Sequence, residues 1–167
     1  MTILATGATG VVGRGVVGRG VVGRGVVAEL LKAGRTVRAL TRRPATAGLP
    51  GEVEVYEGDL DRPESVRAAL AGVERLYLFP VAHTAAEVVA LAVESGVRRI
   101  VDLSGAGAED ELFEDGYRVV ERAVEASRRA GAVRGAGAGG GAGAVDQGRI
   151  SGRGGGLALR HVGGVGP

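Results

Sequence analysis

A chain of 167 residues is long enough for one domain with its own core and too short for two ordinary ones. Its balance of 45% apolar and 24% charged residues excludes a disordered chain, no apolar run approaches the ~18 residues of a membrane span, and the lack of cysteine excludes disulfides, thiol catalysis and cysteine-ligated metal. The net charge of +2 is uneven: from Arg128 onward six arginines face a single acid, Asp146, so the remainder holds 15 basic and 18 acidic groups, and the basic balance is no sign of a specific nucleic-acid partner.

The predicted elements alternate. Thr2–Ala5 is a short apolar strand running into a glycine turn. Val26–Ala33 reads as a helix closed by Gly34, Thr36–Leu40 as a second strand and Val53–Tyr56 as a third, ending in Gly58-Asp59-Leu60. Pro63–Leu70 is a helix with Asp61 as candidate N-cap. Arg75–Phe79 is a fourth strand stopped by Pro80, Thr84–Glu94 a helix with Gly96 beyond its end, Arg99–Leu103 a fifth strand, and Tyr117–Ser127 a last helix with Val119, Val120, Ala123 and Val124 at helical spacing. Strand and helix in alternation predict an α/β fold: a Rossmann-like, doubly wound parallel sheet of about five strands. We expect this domain to span residues 1–130.

Two stretches stand apart. Val11–Gly15, Val16–Gly20 and Val21–Gly25 are identical Val-Val-Gly-Arg-Gly units. A period of five turns each valine pair by ~140° around a helix, so the valines make no single stripe, and each glycine costs ~1 kcal/mol in a helix interior. Two of the units read as a duplication, though the sequence alone does not tell which. Residues 131–167 hold 15 of the 32 glycines and no aromatic residue; such a Gly/Ala/Arg-rich tail buries too little apolar surface to offset its ordering entropy and is expected to be largely disordered, apart from short pieces such as Leu157–Arg160.

The chemistry is concentrated in Thr6-Gly7-Ala8-Thr9-Gly10-Val11-Val12-Gly13. Gly-x-x-Gly-x-x-Gly after a buried strand is a phosphate cradle: Gly7 and Gly10 let the backbone approach a pyrophosphate, Gly13 permits close packing of helix on strand, and the next helix aims its free N–H groups at the anion. A dinucleotide is the expected ligand. At the end of the second strand stand Thr41-Arg42-Arg43, where an NAD site would place an acid for the ribose hydroxyls. A guanidinium suits a 2′-phosphate by charge and fork geometry, so NADP(H) is expected over NAD(H); a solvated arginine pair is the plainer alternative. His83 and His161 lack carboxylates at ligand spacing, and no metal site is expected.

These segments together resemble the NmrA-like, atypical short-chain dehydrogenase/reductase group, which includes NADPH:quinone reductase-like members. The resemblance rests on Thr6-Gly7-Ala8-Thr9-Gly10, on Arg38-Ala39-Leu40-Thr41-Arg42, on Glu57-Gly58-Asp59-Leu60, on Leu76–Pro80, on Arg98–Ser104 and on Val120–Ser127, in family order over residues 1 to about 127. It implies an NAD(P)-binding domain with Gly7, Thr9, Gly10, Val11, Val12 and Gly13 around the pyrophosphate. Arg42, with Arg43 behind it, would meet the 2′-phosphate, Asp59 and Leu60 the adenine side, and Phe79 and Pro80 the cofactor cleft. Asp59 has an alternative role in a turn and helix cap, and Phe79 in the core. The Tyr-x-x-x-Lys pair of typical members is absent: Tyr117 is followed at that spacing by Glu121, which would disfavour a phenolate, and no catalytic acid is assigned. Ser104 follows the fifth strand, as a pocket residue or simply as a polar strand end.

Relatives continue beyond the last helix with a further strand and a substrate-binding portion, where this chain has its Gly-rich tail; it reads as truncated or altered there. The opening residues lack the basic start of a secretory signal, so a cytoplasmic protein is expected, with no membrane partner. The expected function is NAD(P)H binding derived from a reductase of quinones or similar small acceptors. A non-catalytic redox sensor and a defective remnant are the alternatives.

Overall fold

A computed structural model describes residues 1–9, 21–105, 111–135 and 157–161. In chain order the elements are β1 (Thr2–Ala5), α1 (Val21–Lys32), β2 (Thr36–Thr41), β3 (Glu54–Glu57), α2 (Arg67–Leu70), β4 (Arg75–Leu78), α3 (Ala85–Glu94), β5 (Arg99–Gly105), α4 (Glu111–Gly135) and β6 (Leu157–His161). Among the described residues the strands form one sheet in the order β3-β2-β1-β4-β5-β6. The first five are parallel, and β6 runs antiparallel to β5. This is the expected Rossmann-like α/β fold, and the strand order reverses direction between β1 and β4, the point at which such sheets open a crevice beyond their carboxyl ends.

The alternation of the strands explains the two cores. Leu4, Leu40, Leu76, Leu78 and Ile100 point to one face and pack with Val66, Leu70, Val88, Val89, Val120 and Val124 from the helices α2 to α4 and the turn before α2. Ala5, Val37, Ala39, Tyr77 and Leu103 point to the other and meet Val27, with Val26, Leu30 and Leu31 of α1 along its margin. With few aromatics, the core is built from Leu, Val and Ala, which interdigitate closely because the layers are thin. Helices α1 and α3 end as their glycines predict. Arg35 N–H donates to Leu30 O at 3.0 Å and Gly34 N–H to Leu31 O at 2.9 Å, and Val97 and Gly96 repeat the pattern on Ala92 and Val93. On β2, one strand in from the sheet edge, Arg38 donates to Ala69 O and Ala71 O, both at 2.8 Å, closing α2, and lies over the Tyr56 ring at 4.5 Å.

Several details differ from the sequence expectation. Asp61 is not a helix N-cap: Pro63–Val66 is a 3₁₀ turn that follows Arg62 and has no side-chain cap. Helix α3 starts at Ala85, and Thr84, at its N-cap position, makes no side-chain cap bond; its hydroxyl donates to Leu60 O at 2.7 Å. Helix α1 starts five residues earlier than expected, taking in the third repeat unit, and α4 is extended at both ends, beyond residue 130 to Gly135. Leu157–His161, which takes in the short piece Leu157–Arg160 excepted from the disorder expected of residues 131–167, is strand β6. Residues 136–156 and 162–167 of that stretch, together with residues 10–20, lie outside the described residues.

Candidate dinucleotide site

The site is built where β1 stops. Thr6 is fully buried; its N–H and its hydroxyl both donate to Tyr77 O at 3.0 Å, and its Oγ1 accepts the Phe79 N–H at 2.7 Å. One side chain thus ties the carboxyl ends of β1 and β4 together on either side of the switch point. Gly7 then turns with φ +66°, and a Cβ there would stand 2.8 Å from the Phe79 ring, so both backbone strain and a clash require glycine. Thr9 Oγ1 and Thr41 Oγ1 share a hydrogen bond of 2.8 Å, linking this turn to the end of β2. Gly10, Val11, Val12 and Gly13, expected to complete the cradle, lie outside the described residues.

The close approach of helix to turn is made by Gly23. A Cβ on this residue would overlap the Gly7 carbonyl oxygen and stand 2.9 Å from Ala8 Cα. One residue on, Arg24 reaches over to the loop after β2, where Nη1 donates to Gly48 O at 2.8 Å and Nη2 to Ala47 O at 2.9 Å. Neither residue was singled out from the sequence, because Gly23 and Arg24 belong to a repeat whose three copies look alike. Arg42 and Arg43 are exposed at the end of β2, and among the described residues neither is ion-paired with a carboxylate. Arg43 N–H donates to Thr41 Oγ1 at 3.3 Å.

The opposite wall follows β3. Gly58 packs so tightly that a Cβ would stand 2.6 Å from Leu40 Cδ1 and 3.0 Å from Ser65 O. Asp59 forms a turn, with its Oδ1 accepting the Asp61 N–H at 3.1 Å while Ser65 Oγ accepts the Asp59 N–H at 2.9 Å. The turn role weighed for Asp59 is therefore present, the helix-cap role is not, and its half-buried side chain faces the cleft. Asp61 approaches His83 Nε2 at 3.1 Å. Leu60 is buried and Phe79 half-buried; both line the cleft, and Phe79 also packs against both cores, so its two weighed roles coexist. Pro80 is half-buried and is not among the described lining residues.

Together these walls enclose a cleft of about 910 Å³, floored by Gly7, Thr9 and Thr41, with Arg24, Arg42 and Arg43 on one side and Asp59, Leu60 and Phe79 on the other. Its size is at the upper end of ligand pockets, and its polarity runs from guanidinium groups at the β2 end to carboxylates at the β3 end. Tyr117 stands apart from these lining residues. Burial, rather than Glu121, raises its pKa, so at neutral pH it is a protonated phenol packed beside the Leu103 cluster.

Comparison with known proteins agrees with this geometry. The family model for NAD(P)H-binding domains matches residues 7–134. Sterol demethylase protein B of Methylococcus capsulatus is 37% identical over 136 residues, covering 80% of this chain and 33% of that protein. Triphenylmethane reductase of Citrobacter sp., solved with NADP(H), superposes with a TM-score of 0.57 at 26% identity, covering 77% of this chain and 46% of that one. An NADPH-dependent quinone oxidoreductase of Escherichia coli gives 0.59 at 26%, covering 76% and 44%. The chain therefore spans less than half the length of each of these relatives. With the switch-point cleft, the glycine turn and the family match in agreement, the chain belongs to the NAD(P)H-binding family, in the NmrA-like, atypical short-chain dehydrogenase/reductase group of Rossmann proteins.

Proposed function

We propose that this chain binds NADP(H) in preference to NAD(H) and forms the cofactor half of a reductase acting on quinones or similar small acceptors. The observation that carries the reading is the pair Arg42 and Arg43, exposed at the rim of the cleft where no carboxylate partner occupies them among the described residues. Unpaired guanidiniums beside a pocket favour a dianionic phosphate over an uncharged ribose hydroxyl. The pyrophosphate would lie over the Gly7 turn, whose left-handed backbone leaves no Cβ in the way, and the adenine would lie beside Asp59 and Leu60. Phe79, held by the Thr6 hydroxyl, would border the path toward the nicotinamide. When bound, the nicotinamide supplies the hydride and the protein supplies position and electrostatics. A cytoplasmic location belongs to the same reading.

Steady-state NADPH oxidation with a panel of quinones tests it. Turnover with NADPH exceeding that with NADH is expected; a rate equal to the uncatalysed one in every case would refute the reductase reading. One observation favours a second reading, a non-catalytic redox sensor: Tyr117 is a half-buried, protonated phenol and no lysine follows it at helical spacing. Cofactor binding without turnover is the result that selects the sensor.

A further inference from the structure

The three Val-Val-Gly-Arg-Gly units are chemically identical, and the third, Val21–Gly25, opens helix α1. We infer that the third unit takes the place beside the Gly7 turn: Gly23 seats the helix on that turn, and Arg24 is a positioning residue that holds the loop behind Arg42 and Arg43.

The register is fixed from downstream. Helix α1 is continuous from Val21 to Lys32, so the Gly7–Gly23 contact and the burial of Val27 are set by one rigid element. Sliding the chain by one unit would bring Gly18 to the turn and Val22 to the place of Val27, which is sterically harmless. It would also put Gly25 in the place of Leu30 and Val26 in that of Leu31, emptying part of the margin that these leucines fill against the α1-side core. Large-to-small exchanges of this kind are costly. The Lys32–Glu29 ion pair and the hydrogen-bonded end at Gly34 would move out of register as well. Only the third unit satisfies both ends.

Arg24 follows directly on this contact. Its two hydrogen bonds to consecutive carbonyls, Ala47 O and Gly48 O, fasten the far end of the loop that leaves β2 through Arg42 and Arg43. The Thr9–Thr41 and Arg43–Thr41 bonds fasten the near end. An arginine pair at the mouth of a cleft selects a 2′-phosphate only if its backbone is held, since otherwise ordering it opposes binding.

Deleting any one unit, whichever is removed, gives the same protein, so only point substitutions separate the copies. The test compares Gly23→Ala with Gly18→Ala, and Arg24→Ala with Arg14→Ala and Arg19→Ala, in the full chain. Urea unfolding midpoints are measured without ligand, and dissociation constants with NADP and with NAD. Gly23→Ala is expected to lower the midpoint or prevent folding while Gly18→Ala leaves it unchanged. Arg24→Ala is expected to weaken NADP about tenfold more than NAD, as one well-placed charge-assisted contact would, while Arg14→Ala and Arg19→Ala leave both constants within about twofold. Equal effects across the copies, or an Arg24→Ala loss that is the same for NADP and NAD, would overturn the inference. The specificity arm rests on the cofactor reading. If the wild-type chain binds neither dinucleotide, that reading and the role of Arg24 in cofactor choice both fail, while the ligand-free midpoints still decide which unit packs on the turn.

Discussion

Thr6→Val is the substitution that most cleanly separates hydrogen bonding from packing at the switch point. Valine matches threonine in shape, so the fully buried site suffers no cavity. What is lost is the hydroxyl, and the consequences for its two partners differ. Tyr77 O keeps the Thr6 N–H as a donor, but Phe79 N–H loses its 2.7 Å acceptor. A redundant bond lost and a partly buried donor orphaned together cost about 2–4 kcal/mol. Thr6→Ser keeps both bonds and removes one methyl, for about 1 kcal/mol. Equilibrium urea unfolding of the three proteins, with free energies from linear extrapolation, measures both. Valine is expected to be clearly worse than serine. A valine cost below about 0.5 kcal/mol, or serine the more damaging of the two, would refute the claim that this hydroxyl joins β1 to β4.

Gly25 lies within α1 and is exposed, and a Cβ on it would meet nothing within 4 Å; Gly25→Ala should raise stability by about 0.5–1 kcal/mol, and a destabilised protein by urea unfolding would show that the helix is not formed there. Tyr77 is pushed up to about 12, first by burial and then by Tyr117 and Asp102, while an unfolded tyrosine titrates near 10. The unfolded chain releases this proton first, so the associated stability is fully present below about pH 10 and is lost as the pH rises toward 12, on the order of 2 kcal/mol in all. Tyr77→Phe should remove that part of the alkaline fall, and at neutral pH should be neutral or stabilising, because the Tyr77 hydroxyl has no partner among the described residues; an unaltered alkaline limb would contradict it. Arg42→Ala should weaken NADP binding by about 10- to 100-fold and leave NAD nearly unchanged, and equal losses in calorimetric titrations of both would refute a phosphate role.

The fold was legible because its signals are local and agree. Alternating strands, glycines past the ends of α1 and α3, and Pro80 after β4 each specify an element without help from the others. The floor of the site was legible for the same reason, since Gly7 and Thr9 follow directly on β1. The other contributions depend on distance in sequence. Thr6 meets Tyr77 and Phe79 across more than 70 residues, and no periodicity reports such a contact. Asp61 looks like a helix cap, but a 3₁₀ turn without a side-chain cap precedes α2, and the Thr84–Leu60 bond is a contact no local pattern reports. Gly23 and Arg24 were hidden by repetition: three equal units offer three equal candidates, and only the packing of Val27, Leu30 and Leu31 selects among them.

The central claim is that the cleft between the Gly7 turn, Arg42 and Asp59 is a dinucleotide site that prefers NADP(H). Isothermal titration of the purified chain with NADP, and separately with NAD, tests it without any substrate. The account predicts saturable binding of both, tighter for NADP, with the preference abolished in Arg42→Ala. No heat of binding and no rise in the unfolding midpoint at millimolar cofactor, or a preference for NAD, would contradict it.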